Sequence, residues 1–347
     1  MKRGELPTIS VVIATHNSSR TIGRCLSSIR SQKYPQDRIE IIVADGASTD
    51  DTKRIASGYT VRWVAVDPVR QSAEYNKATG VSLANNEILA MIDHDNILPH
   101  DGWLQAMVRP LLEETDVAGV ETLRYYYDPH ASQIDRYFAL FGAGDPLVWY
   151  MGKADRLSYM YDGYVLAGRV REKESYYLVR FDPQNMTTIG ANGFLVRRKI
   201  LMDHAQVAPG TYFDMDVNID LIRNGYDTYA FVKDSILHLT GYGNMMNFLK
   251  RRVLFLSQYR FATKTSQRNS VRRYGNLAAG DVVRLVQAIA VCATLVVPLY
   301  HSIRGWVKIR DSAWFLHPFL CLSFVLIYSW VTMKYLFFSY VNKLLGK

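Results

Sequence analysis

The segment Glu87-Ile88-Leu89-Ala90-Met91-Ile92-Asp93-His94-Asp95-Asn96 runs an apolar strand directly into two carboxylates spaced i, i+2. At the carboxyl edge of an open α/β sheet, where such folds bind ligands, Asp93 and Asp95 supply hard oxygen ligands for Mg2+ or Mn2+ against a diphosphate. A second Asp-x-Asp occurs at Asp214-Met215-Asp216. Only the first directly follows an all-apolar strand, and a carboxylate pair at a strand end is the one placed to clamp a metal ion.

The elements that must position these residues follow from hydrophobic periodicity. Ile9–Ala14 and Ile39–Ala44 read as buried strands, Val61–Val66 as a third and Glu87–Ile92 as a fourth. Ile22, Cys25, Leu26 and Ile29 recur at helical spacing between the first two, and Ser72–Ala84 reads as a helix before the fourth. The order βαβαβαβ predicts a Rossmann-like α/β fold with a mostly parallel sheet and a nucleotide site at its carboxyl edge. No Gly-x-Gly-x-x-Gly follows the first strand and no Gly-x-x-x-x-Gly-Lys occurs, which disfavours dinucleotide dehydrogenases and P-loop enzymes.

With 347 residues and 49% apolar content the chain is globular. Its three cysteines are odd in number and too widely separated for a metal finger, as expected in a reducing compartment. The apolar stretch after Met1–Pro7 is too short for a secretory signal, so the catalytic part is expected to stay in the cytoplasm.

The carboxyl end differs in character. Leu285–Tyr300 and Ala313–Met333 are long apolar runs and predict a two-helix transmembrane hairpin, the first, interrupted at Arg284 and nearer the minimum length, reading either as a span or as a tilted or in-plane segment. Upstream, Lys250–Arg273 carries eight Lys/Arg and no acid, and without these eight the net charge of +9 falls to +1. Interleaved aromatic and aliphatic residues make this block an interfacial helix on anionic membrane lipids rather than a nucleic-acid surface. The positive-inside rule puts that block in the cytoplasm, and two crossings would return Asn342–Lys347 to the same side. One detail resists: the loop between the two runs, Ser302–Ser312, carries Arg304, Lys308 and Arg310, which the rule would not put outside.

VVIATHN (Val11–Asn17), IIVADGASTDDT (Ile41–Thr52), Asn76-x-x-x-Gly80, IDHDN (Ile92–Asn96), GANGFLVRR (Gly190–Arg198), FDMDVNIDLIRNGY (Phe213–Tyr226) and Leu237-His238 together resemble the family 2 glycosyltransferases of the GT-A fold. The resemblance covers roughly residues 8–240. It implies an inverting transfer of a sugar from a nucleotide-diphosphate sugar. By this resemblance Thr15, Asn17, Asp45, Asn76 and Asp93 bind the donor, Asp93, Asp95 and His238 hold the metal, and Asn192 and Gly193 form an acceptor-side loop. Asp216 matches the general base. The pattern departs here, because the acid expected just before the base is Met215; if the register slips by two, Asp214 is the base.

The expected organisation is a GT-A catalytic domain over 1–240, a basic amphipathic connector over 241–280 and the two transmembrane helices with a short tail over 281–347. The expected reaction moves a sugar to a lipid-linked acceptor, a polyprenyl phosphate or polyprenyl-linked saccharide, at the cytoplasmic face of the plasma (inner) membrane. Enzymes of this class that load polyprenyl phosphate follow their Asp-x-Asp with Leu-Gln-His-Pro; Asn96-Ile97-Leu98-Pro99-His100 is only partly similar, which favours extension of a lipid-linked saccharide. Two other classes compete: a non-catalytic membrane scaffold that binds a nucleotide sugar, and a membrane-associated nucleotidyltransferase. The segment Tyr125–Tyr177 holds ten of the 23 tyrosines and reads either as an acceptor surface or as core.

Overall fold

The computed structural model describes residues 5–257 and 279–344. Its strands are β1 (Ile9–Thr15), β2 (Ile39–Asp45), β3 (Arg62–Ala65), β4 (Ile88–Met91), β5 (Asn96–Ile97), β6 (Val117–Tyr125), β7 (Arg169–Glu172), β8 (Tyr176–Arg180), β9 (Phe194–Arg197) and β10 (Thr228–His238). They form one sheet in the order β3-β2-β1-β4-β9-β6-β10-β8-β7, with β5 paired to β10. The four strands read from the sequence are mutually parallel, β2 and β4 flanking β1 and β3 beside β2. Beyond β4 the expected parallel sheet becomes mixed: β9 runs antiparallel to both β4 and β6, and β8 antiparallel to β10. The reason is connectivity: β9 enters from the loop 190–193, at the edge where β4 ends, and so must run the other way.

Helix α1 (Ile22–Arg30) buries Ile22, Cys25, Leu26 and Ile29 on one face of the sheet. After α2 (Thr52–Ala56), α3 (Ala73–Leu83) covers the other face. The Ser72 hydroxyl caps α3 by accepting the Tyr75 N–H at 3.1 Å. Gly80 lets α3 approach β1: a Cβ there would lie 2.6 Å from Val12 Cγ1. The remaining helices of this unit are α4 (Trp103–Glu113), α5 (Gln133–Phe141), α6 (Pro146–Tyr150), α7 (Arg198–His204) and α8 (Asp214–Arg223). Of the tyrosine-rich segment, Tyr125, Tyr137, Tyr176 and Tyr177 are buried, so much of it is core.

Helix α9 (Met245–Leu256) begins the expected connector, whose cations Arg260, Lys264, Arg268, Arg272 and Arg273 lie outside the described residues. Arg252 does not face outward. It pairs with Asp145, the residue that caps α6, and with the Tyr328 hydroxyl, because a buried carboxylate in this position needs a cation.

The expected two-helix transmembrane hairpin is not confirmed: the second run forms one long apolar helix and the first a bent pair. Leu285–Tyr300 is broken at Leu295, whose φ is 61°, into Val282–Thr294 and Val296–Lys308 at 76° to one another. Pro298, unable to donate to the preceding turn, stands just inside the second piece. Only Ser312–Phe338 is, among the described residues, one helix long and apolar enough to cross a bilayer. Ala288, Cys292, Trp314, His317, Leu320 and Phe324 of these helices pack with Tyr137, Phe141 and Leu147 of α5 and α6 and with Phe248 of α9.

The α3–β1 contact is tight against a β-branched side chain with little freedom to move. Gly80→Ala is expected to destabilise the fold by about 1–3 kcal/mol, read as a lower denaturation midpoint; an unchanged midpoint would contradict this packing.

Candidate active site

The register of the sheet brings the singled-out residues to one edge. Thr15 and Asp45 are direct neighbours where β1 and β2 end. After β4, Ile92 still donates to Val12 O at 3.2 Å, and the chain then turns through Asp93 and Asp95. β10 ends at His238, opposite Asn96 of β5, which lays the imidazole beside Asp95. Gly193, with φ 91°, donates its N–H to Met91 O at 2.9 Å, so the loop before β9 starts against Asp93.

On the β1–β2 side, the Asp45 carboxylate accepts the Ser48 N–H at 2.9 Å and the Ser48 hydroxyl. Asn17 takes a left-handed conformation, donates its N–H to Ser48 Oγ at 2.8 Å and accepts the Thr49 N–H at 2.9 Å. These bonds lace the loops after β1 and β2 into one rim. Asn76 Nδ2 donates to Thr15 O at 3.3 Å, yet Thr15 Oγ1 and Asn76 Oδ1 are both buried with no hydrogen-bond partner. Unsatisfied polar atoms on two residues that bond to one another are a cost that a polar ligand at this edge would remove.

At the centre lies Lys77, a buried cation that sequence reasoning passed over although it directly follows Asn76. Its Nζ is 3.5 Å from Asp93 Oδ1 and 2.9 Å from Asp214 Oδ2. Asp214 also accepts the Tyr212 hydroxyl at 3.0 Å. Burial raises the Asp214 carboxyl above its ordinary range, and the charge of Asp93 adds to this, while Lys77 opposes it. For Lys77 burial acts downward, but Asp214 and Asp93 outweigh it and hold the ammonium protonated. Asp216 is 0% exposed, on the inward face of α8. Two residues of helix turn the side chain by about 200°, so the two acids cannot face the same cleft.

Asp93 and Asp95, expected as a pair on one ion, have different neighbours. Asp93 is held by Lys77 and by the Asn192 N–H at 3.3 Å. Asp95 Oδ2 lies 3.6 Å from His238 Nε2. Burial acts to raise the Asp95 carboxyl, but the His238 ring outweighs it and keeps it below the usual carboxylate range. Burial acts to lower His238, and Asp95 in turn raises it above an ordinary histidine. Among the described residues no three His, Cys, Asp or Glu side chains converge tightly enough to hold an ion alone. The donor chemistry nevertheless fits a shared site: a carboxylate beside an imidazole, whose Nδ1 is buried without a partner, suits Mn2+ better than Mg2+ with its all-oxygen preference, provided the ligand contributes the remaining oxygens.

The loop 190–193 is fixed from behind by an ion pair with no local sequence signature. Glu121 sits at 0% exposure within β6, accepts the Gly190 N–H at 2.8 Å and pairs with Arg156. Arg156 also donates to Ala191 O at 3.2 Å and Asn192 O at 2.9 Å, with its guanidinium over the Tyr125 ring. Burial raises the Glu121 carboxyl and Arg156 opposes that. Asn192, with φ 55°, accepts from Asn96 Nδ2 at 3.0 Å. Tyr125 donates to Asp155 at 3.2 Å and lies beside the His238 ring.

The family model for glycosyl transferase family 2 matches residues 10–204, more than half of the chain. Glycosyltransferase AglE of Haloferax volcanii is 33% identical over 104 residues, covering 29% of this chain and 34% of that protein. A GalNAc(5)-diNAcBac-PP-undecaprenol beta-1,3-glucosyltransferase of Campylobacter jejuni is 28% identical over 98 residues, covering 27% of this chain and 31% of that protein. The aligned stretch thus spans about a third of these relatives. The structure of mannosyltransferase PcManGT from Pyrobaculum calidifontis, solved with GDP-Man and Mn2+, superposes with TM-score 0.52 at 16% identity over 96% of this chain and 88% of that one, a likeness of fold.

Arg156→Leu strands a buried carboxylate and is expected to cost about 3–5 kcal/mol, while adding Glu121→Leu to it recovers most of the loss. Chemical denaturation checks both, and equal stability of the single variant and the wild type would contradict the pairing. By its matching residues and by its sheet, this chain belongs to glycosyl transferase family 2.

Proposed function

We propose that the protein transfers a sugar from a nucleotide-diphosphate sugar to a membrane-associated acceptor, with inversion and with a divalent metal ion. One observation carries the reading: Asp93, Asp95, Asp214 and His238 converge at the carboxyl edge of the sheet, linked through Lys77 and the loop 190–193. In this reading the nucleoside lies against Thr15, Asn17, Asp45 and Asn76. Lys77 and Asp93 orient the diphosphate, and Asp95 with His238 would hold the metal ion. When bound, that ion supplies charge neutralisation on the departing diphosphate.

Asp214 is the base in this account. It takes the proton from the acceptor hydroxyl, the hydroxyl oxygen bonds to the anomeric carbon, and the bond from that carbon to the diphosphate oxygen breaks with its electron pair leaving on the nucleoside diphosphate. A carboxylate raised by burial is suited to accept that proton, and Lys77 keeps it oriented. The fully buried Asp216 is not the base in this reading. Asn192, held by Arg156, and Gly193 beside it face the acceptor.

A lipid-linked saccharide at the cytoplasmic face of the inner membrane is the proposed acceptor. It is supported by the apolar helix Ser312–Phe338 beside the catalytic unit and by the undecaprenol-linked substrate in the name of the Campylobacter relative. The proposed units are 1–240 for catalysis, 241–280 as a basic connector on anionic lipids, and 281–347 for attachment.

The test is release of nucleoside diphosphate from a panel of activated sugars with Mn2+ and a lipid extract. Asp95→Ala should abolish release, and Asp214→Asn should slow it by about 10²–10⁴-fold. Release indifferent to both substitutions would end the reading in favour of a binding scaffold, and pyrophosphate as product would turn it to nucleotidyl transfer.

A further inference from the structure

The stretch between the two apolar segments carries three cations, Arg304 and Lys308 on the helix Val296–Lys308 and Arg310 just after it, and the first two meet the catalytic unit while the third stacks within its own segment. Lys308 Nζ is 2.5 Å from Asp162, Arg304 lies over the Tyr161 ring at 5.1 Å, and Arg310 covers the Trp306 ring at 3.7 Å. The neighbouring Asp311 accepts the Tyr127 hydroxyl at 2.6 Å and pairs with Arg136 of α5 at 2.8 Å. Tyr127, Arg136, Tyr161 and Asp162 all belong to the catalytic unit. A stretch tied to that unit by these contacts cannot lie across about 30 Å of hydrocarbon from it.

The two helices that meet at Leu295 are short. Ala279–Thr294 has 16 residues and Val296–Lys308 has 13, about 24 and 20 Å of helix, each alone too short to span. The first turns Leu285, Ala288 and Cys292 toward the protein while Val286, 60% exposed, and Val283 point away from it. In the second, Ser302 and Gly305 pack on Trp314, and Val296, 72% exposed, with Leu299 and Ile303 faces outward. No Asp, Glu, Lys or Arg occurs between Arg284 and Arg304, so the bend at Leu295 is the least polar part of the pair. The final helix repeats the division. His317 bonds the Tyr137 and Tyr150 hydroxyls at 2.9 and 3.1 Å and Tyr328 bonds Asp145, whereas Phe319, Leu322, Leu326 and Trp330 form its outer face.

We infer that the bent pair 282–308 does not cross the bilayer: it dips into the lipid at Leu295 as a re-entrant wedge and returns to the side on which catalysis takes place. This rests on the membrane-attached reading above and deepens it. The partner is the lipid itself, since the outward surface of the three helices is mostly apolar, with the exposed Arg284 near the start of the first and Lys334 near the end of the apolar part of the last. The wedge also accounts for the cations of this stretch, which then obey the positive-inside rule on the same face as the connector.

The experiment is cysteine labelling of the full chain with a membrane-impermeant maleimide, in sealed vesicles of both orientations; the native Cys25, Cys292 and Cys321 are buried. Asp37→Cys, exposed on the catalytic unit, marks its side. Arg310→Cys is expected to label in the same orientation as Asp37→Cys, and Val296→Cys to label at least tenfold more after detergent than before. Arg310→Cys labelling only in the opposite orientation would overturn the wedge while leaving membrane attachment intact. Val296→Cys labelling freely without detergent, with the chain failing to float with vesicles, would overturn attachment and the wedge together.

Discussion

One buried ammonium holds the candidate site together. Lys77 is 4% exposed and lies between two carboxylates from distant parts of the chain, Asp93 after β4 and Asp214 at the start of α8. A lone charge in that position would be strongly disfavoured, and so would either acid without it; together they fix the distance between the end of the central strand and the helix that returns over it. Gly80, one turn further along α3, allows the helix to sit close enough to β1 for Lys77 to reach.

That arrangement divides the labour between otherwise similar acids. Asp93 is tied to Lys77 and the loop 190–193, Asp95 to His238, and Asp214 is left with a raised affinity for protons by burial. In the proposed reaction the first orients, the second binds the ion and the third accepts the acceptor's proton. The Glu121–Arg156 pair keeps the acceptor side in register from behind, bonding the backbone of three consecutive residues of the loop, Gly190 to Asn192.

The strand ends were legible in the sequence because apolar runs stop at acids: Ile39–Asp45 and Glu87–Asp93 declare both strand and edge. The antiparallel return of β9 was not, since pairing between distant strands leaves no periodic trace. Lys77 and Asp214 are 137 residues apart, so their contact could not be read locally, although a lysine following a singled-out Asn76 and an acid inside the apolar β6 were visible cues. In the proposed reaction Asp214 is preferred to Asp216 on helix geometry and burial rather than on motif. Hydropathy correctly found apolar carboxyl-terminal segments. It does not distinguish a face packed on protein from one turned to lipid, and so it could not foresee the 76° bend that divides the first run.

The central claim is that Asp95 and His238 bind a divalent ion that completes the nucleotide site, and thermal unfolding with nucleoside diphosphates tests it most directly. The account predicts that a cognate diphosphate stabilises the protein with Mn2+ present, by about 2.7 kcal/mol at a hundredfold excess over its dissociation constant, and that this shift disappears without Mn2+ and in Asp95→Ala. Equal stabilisation without the metal, or in the variant, would contradict it.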